Sequence, residues 1–220
     1  MNPCQQLESL GELSLTVELL TRTQLYSHDT TRLIDGEDRK YNLALFWDKE
    51  QMLTIRPENS SDHAAVRRVV ELAFGQPNEA DLVDSLRELA DPYVSLVALQ
   101  NDAVVGHIFF SPVSIESPES SFTAMGLAPL AVLPDYQSKG IGSELVIQGL
   151  KQCQRIGHEV VVVLGHPHYY PRFGFVPASR KAIRSEYEVP DDVFMVAELT
   201  PGALRGRNGL VKYHPAFSAA

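Results

Sequence analysis

From residue 53 onward the apolar positions fall into short periods separated by turn-forming residues. Residues 53–56 read as a brief strand ended by Pro57, and Asn59, Ser60 and Ser61 offer capping side chains for a helix. Val66, Val69, Val70, Ala73 and Phe74 then recur at i, i+3, i+4, i+7 and i+8, predicting a helix with one buried face closed by Gly75. A second helix carries Leu82, Val83, Leu86, Leu89 and Ala90 on its inner stripe and stops before Asp91 and Pro92. Residues 93–99 and 103–115 read as a hairpin turning at Asn101 and Asp102. A further strand spans 122–132, where Pro129 implies a bulge or a missing ladder hydrogen bond.

A polar loop leads from that strand into a helix starting near Gly140, with Leu145, Val146, Gly149, Leu150 and Cys153 on one face. Residues 160–164 are five aliphatics in a row, the pattern of a strand covered on both faces. A helical turn at 168–173 and two late strands at 194–199 and 210–213 complete the order β α α β β β α β α β β, which predicts an α/β fold with a mixed sheet. Residues 1–51 differ: they hold nine acidic and five basic residues and sustain neither period. We read them as an N-terminal extension, with a short element at 10–20 and a turn at Asp35 and Gly36, and residues 52–220 as one folded domain.

Charge narrows the possible partners. The 220 residues carry 19 basic and 28 acidic side chains, a net charge of −9, and no local basic run. Phosphate backbones and anionic lipid gain no general attraction to such a surface, so neither nucleic acid nor membrane is expected as a partner. Cys4 and Cys153 lie far apart and form no CxxC pair, which predicts reduced thiols. No apolar run approaches the ~20 residues needed to cross a bilayer. The first twenty residues hold Glu8, Glu12 and Glu18 but no Lys or Arg, the reverse of a secretory leader. The expected location is cytoplasmic.

The candidate chemistry begins at Leu130, Ala131 and Val132, where the strand passes through Pro134, Gln137, Ser138 and Lys139 to Gly140, Ile141, Gly142 and Ser143. Free amides in a first helical turn converge on one point, and the helix dipole adds partial positive charge, so a diphosphate can sit there. Gly140 and Gly142 let oxygens approach the backbone, and Lys139 adds a cation. A dinucleotide fingerprint would need glycine where Leu145 stands, and no Gly-Lys-Ser/Thr closes a P-loop.

The Leu-Ala-Val-x-Pro strand followed by Gln-x-x-Gly-x-Gly resembles the acetyl-CoA loop of the GNAT N-acetyltransferase superfamily. Downstream, Tyr170 to Phe175 is similar to that family's Tyr-x-x-x-Gly-Phe segment. The resemblance covers about residues 53–217 and implies a mixed, mostly antiparallel sheet, splayed at its central strands and flanked by helices. It implies acetyl-CoA as co-substrate, with pantetheine along residues 130–132, pyrophosphate on residues 137–143, and acyl transfer to an amine of a small molecule or protein. Tyr170 is expected to hydrogen-bond the departing sulfur. Many family members place a glutamate on the splayed strand, but residues 123–132 here contain no acid. His166 ranks first as substitute base, followed by His168, His107 or a water chain. Two histidines at 166 and 168 without a third ligand give no metal site. A non-catalytic acyl-CoA binding module is the rival reading.

Overall fold

The computed structural model describes residues 53–218. The extension expected at 1–51, its element at 10–20 and Cys4 lie outside the described residues.

Strand β1 (Leu53–Pro57) leads through Asn59, whose side chain accepts from the Ser61 amide at 2.9 Å, into a 3-10 turn (Ser60–Asp62) and helix α1 (His63–Phe74). Asp62 returns the favour at the Asn59 amide, 2.9 Å away, and takes Arg56 in an ion pair at 2.6 Å, so the chain reversal is pinned from both sides. Gly75, in the left-handed conformation, ends α1, and α2 (Asn78–Leu89) follows. Strands β2 (Val94–Gln100) and β3 (Ala103–Glu116) form the expected hairpin through Asn101 and Asp102, both at positive φ. Then come β4 (Ser121–Val132), α3 (Ile141–Arg155) and β5 (Val160–Leu164).

After β5 the reading from periodicity needs amendment. The helical segment expected at 168–173 is one 3-10 turn (Tyr170–Phe173). Two short strands, β6 (Val176–Pro177) and β7 (Ile183–Ser185), precede β8 (Phe194–Glu198) and β9 (Gly209–Lys212). Strands of two and three residues exist only because neighbours pair with them, and periodicity cannot reveal that.

The sheet runs β1-β2-β3-β4-β5-β8-β6, antiparallel except between β4 and β5. Strand β3 has 14 residues against seven in β2, so its far end would be an open edge. Strand β9 fills it, pairing Lys212 with Ser114 and Leu210 with Glu116, and takes β7 alongside in parallel. Alternate side chains serve opposite faces. Leu96, Ala98, Ile108 and Phe110 pack with Ile141, Leu145, Val146 and Cys153 of α3. Val97, Phe109 and Ala131 pack instead with Val66, Val69, Val83 and Leu86 of α1 and α2. A third cluster joins β5, β8 and β9 through Val160, Val162, Phe194, Val196 and Val211.

The feature that makes a site lies between β4 and β5. Their ladder contains only Met125–Val161, Gly126–Val162 and Leu127–Val163. Across β4, Ile108 pairs with Leu130 whereas Phe110 pairs with Leu127, so two steps on β3 oppose three on β4. The extra residue falls at Ala128 and Pro129, and Pro129 has no N–H to continue a ladder. Beyond Leu127 the β4 edge facing β5 is unpaired by protein, while β5 itself continues to Leu164.

Candidate active site

The free edge of β4 carries Leu130, Ala131 and Val132, whose other edge is bonded to Ile108, His107 and Gly106 of β3. The chain then turns sharply. The Gln137 side chain donates to the Val132 carbonyl at 3.0 Å, tying the end of the strand to the loop. Ser138 has φ +58° and Gly140 has φ +86°, both left-handed. Glycine at 140 costs nothing in that conformation, and a Cβ there would meet no atom within 4 Å, so the space beside it is open. The first intrahelical bond of α3 runs from the Glu144 amide to the Gly140 carbonyl at 3.0 Å, and no side chain caps this helix. Backbone N–H groups of Ile141, Gly142 and Ser143 therefore precede the ladder and face outward at the positive end of the dipole. Lys139 extends from the same turn, its Nζ 5.3 Å from the centroid of the Tyr136 ring.

Tyr170 sits on the opposite wall. Its ring is buried against Gly165, where a Cβ would come within 2.2 Å of Cε2, and meets Phe175 edge-on with centroids 5.6 Å apart. Burial, with Tyr169 alongside, raises its phenol well above the usual range, so it remains a neutral O–H donor. Tyr170 belongs to the cluster on the α3 face.

Tyr169, next to it in the chain, reaches further. Its ring meets Tyr170 edge-on at 5.1 Å and Phe173 at 5.3 Å, with the Arg172 guanidinium 4.8 Å from its centroid. Its hydroxyl lies 2.9 Å from where a Cβ on Gly142 would be, directly over the α3 N-terminus. No spacing rule separates two adjacent tyrosines, so this role was invisible in the sequence. His166 is exposed in the loop after β5; its carbonyl accepts from the Tyr169 amide at 3.0 Å, and no side-chain hydrogen bond orients its ring. His168 is exposed as well.

On the opposite face of the sheet, over β2 and β3, lies a charged cluster that periodicity did not reveal. Glu58, just after β1, is paired with Arg87 of α2 at 2.6 Å (Nη2) and 3.3 Å (Nε), their side chains being 4% and 7% exposed. Ser95 of β2 donates a short hydrogen bond to the same carboxylate, and Arg87 also holds Asp84. Burial pushes the Glu58 carboxyl up, but the nearby His107 ring and hydrogen bonds from Arg87 and Ser95 outweigh this and hold it at about 2. The chain thus has a buried carboxylate against β2, contributed from 29 residues before Arg87. Among the described residues no group of His, Cys, Asp or Glu could hold a metal ion, and no helix is long and apolar enough to cross a membrane.

A splayed β4/β5 pair opening onto an uncapped helix is the architecture of an acyl-CoA site, and the comparisons agree. Residues 54–178 match the acetyltransferase (GNAT) domain model. The uncharacterized N-acetyltransferase YhbS of Escherichia coli K12 is 35% identical over 167 residues, covering 76% of this chain and 99% of that protein. The uncharacterized N-acetyltransferase YjhQ of the same strain is 40% identical over 142 residues, covering 63% of this chain and 78% of that protein. The crystal structure of E. coli YhbS in complex with CoA superposes with a TM-score of 0.72 at 34% identity, over 78% of this chain and 94% of that one. A GNAT family acetyltransferase from Brucella melitensis, in complex with acetyl-CoA, gives 0.62 at 35% identity, over 76% and 98%. The chain belongs to the GNAT acetyltransferase family.

Proposed function

We propose that this domain transfers the acetyl group of acetyl-CoA to a primary amine carried by a small molecule or a protein. The observation that carries this reading is the unpaired β4 edge beyond Leu127 running directly to the free amides of Ile141, Gly142 and Ser143. The CoA and acetyl-CoA complexes of relatives at 34% and 35% identity support it.

In this reading the pantetheine arm pairs with the main chain of Leu130, Ala131 and Val132, and a backbone N–H there polarises the thioester carbonyl. Gln137, Ser138, Lys139, Gly140, Ile141, Gly142 and Ser143 cradle the pyrophosphate. The amine attacks the carbonyl carbon, the C–N bond forms, and collapse of the tetrahedral intermediate breaks C–S. Tyr170 donates to the sulfur as negative charge develops on it. A thiol of reference pKa ~8.5 is more acidic than a phenol at ~10, so the hydrogen bond stabilises the thiolate and need not complete a proton transfer. A lysine-like amine of pKa ~10.4 must first lose a proton, at a cost of about 4.6 kcal/mol at pH 7. His166, in the exposed loop after β5, is one group proposed to take it.

Acetyl-CoA at about 100 times its Kd is expected to stabilise the fold by ~2.7 kcal/mol, visible as a raised Tm, whereas NAD should have no effect. Release of free thiol with one of a panel of amines, peptides and polyamines then tests transfer. Tyr170→Phe is expected to lower kcat about 100-fold while acetyl-CoA affinity is unchanged. Thermal stabilisation without turnover on any amine would favour a binding module instead.

A further inference from the structure

His107 is wholly buried on β3, directly across the ladder from Ala131, and its Nδ1 has no hydrogen-bond partner among the described residues. Paired strands lie about 4.8 Å apart, so this nitrogen belongs to the strand next to the one that lines the cleft. A bare buried nitrogen costs about 1–3 kcal/mol, which a fold tolerates where something else occupies or uses it.

The tautomer follows from counting protons. Glu58 is ionised and can only accept. The single hydroxyl proton of Ser95 is given to Glu58 Oε2. The contact of Ser95 Oγ with His107 Nε2 at 2.8 Å must then be donated by the imidazole, and Glu58 Oε2 lies 3.7 Å from the same nitrogen. Nε2 carries the proton, and Nδ1 keeps its lone pair. A carboxylate, through a serine, thus fixes the ring in the tautomer of a base, as a third group orients the base in acyl-transfer triads.

The two faces of the sheet complete the argument. Ser95 shares the orientation of Val97, which packs against α1 and α2, so His107 lies on that face; Tyr170 lies on the α3 face. Resting on the acetyl-transfer reading above, we propose that His107 Nδ1 accepts the proton of the incoming ammonium through water, with Glu58, Ser95 and Arg87 as positioning residues, so that amine and thiolate are handled from opposite sides of the slot. The ammonium gives one proton through water to Nδ1, leaving an imidazolium that donates from Nε2 toward Ser95 and Glu58. The freed lone pair forms C–N, and collapse of the tetrahedral intermediate then breaks C–S. The second amine proton passes to the sulfur beside Tyr170, and the imidazolium later discharges to solvent. Charged groups on the elements around the ring are Glu58 after β1, and Arg87 with Asp84 on α2; β4 opposes it with Ala131, which is neutral. Burial, with Arg87, outweighs Glu58 and holds the imidazole below its usual range, so the ring rests neutral.

The test compares two acceptors, n-butylamine, protonated at neutral pH, and hydroxylamine, which is not. His107→Gln is expected to slow thiol release with butylamine about 100-fold and with hydroxylamine less than 10-fold, with acetyl-CoA affinity unchanged. Glu58→Gln is expected to move the acid limb of the kcat profile to lower pH. Equal losses with both amines, or full activity in His107→Gln with the loss found in His166→Gln instead, would overturn the proposal. Nitrogen-15 NMR of the full chain without ligand reads the tautomer independently of activity and of whether a variant folds. Nε2–H with a bare Nδ1 is expected, and Nδ1–H or an imidazolium at neutral pH refutes the assignment of His107. Failure of the unaltered protein to release thiol with either amine counts against acetyl transfer itself.

Discussion

Tyr170 shows how a single side chain acquires chemistry from its surroundings. Its ring fills the space over Gly165, so any Cβ at that position must drive the phenol from its seat. On the proposed function, Gly165→Ala is therefore expected to reduce kcat by an order of magnitude or more while leaving acetyl-CoA binding nearly intact, because the proposed pyrophosphate contacts lie on another loop. Equal kcat in variant and parent, measured by thiol release at saturating acetyl-CoA, would show that the seat of the ring does not matter. As a candidate, Tyr170 was legible in advance because it stands in a local motif. Tyr169 and Glu58 were not, since the first acts through a contact with Gly142 and the second through partners 29, 37 and 49 positions away. Local spacing carries no record of such pairings.

At the level of elements, α3 and the β1–α1 connection carry separable consequences. Helix α3 lies so close to β3 that a Cβ on Gly149 would approach Phe110 Cε2 to 2.3 Å, and Phe110 is fully buried. Gly149→Ala should cost about 1–3 kcal/mol, despite its better helix propensity, read as a lower urea midpoint with unchanged m-value. The Glu58 connection adds a pH dependence with a definite sign. Its carboxyl titrates at about 2 when folded against an ordinary 4.5, so the stabilisation is complete above pH 4.5 and is lost as pH falls toward 2. Glu58→Gln should lose about 3 kcal/mol at neutral pH because the buried Arg87 keeps only the half-exposed Asp84 as a charge partner. The gap between variant and parent in urea unfolding should close as pH drops below about 4.5. A gap that stays constant down the acid range would show that the pair contributes no linkage. The long helices and the strands β2 to β5 could be read from period alone, because each buries a face that repeats every 3.6 or two residues. Strands β6 and β7 are too short to have a period.

For the whole molecule, hydrophobic periodicity and one local turn sufficed to reach an α/β domain with an open, glycine-led helix start and a bulged strand at Pro129. Those properties are encoded by neighbours in the chain: a missing N–H, a glycine free of Cβ, an apolar stripe. Only the tertiary structure could decide that β9 crosses to extend β3, that the β4–β5 ladder stops after three pairs, and that Glu58, Arg87, Ser95 and His107 meet in one buried cluster. Each of these depends on which distant segments share an interior. That is settled by closing the whole core at once, with every buried charge and amide finding a partner or standing where a ligand can reach it.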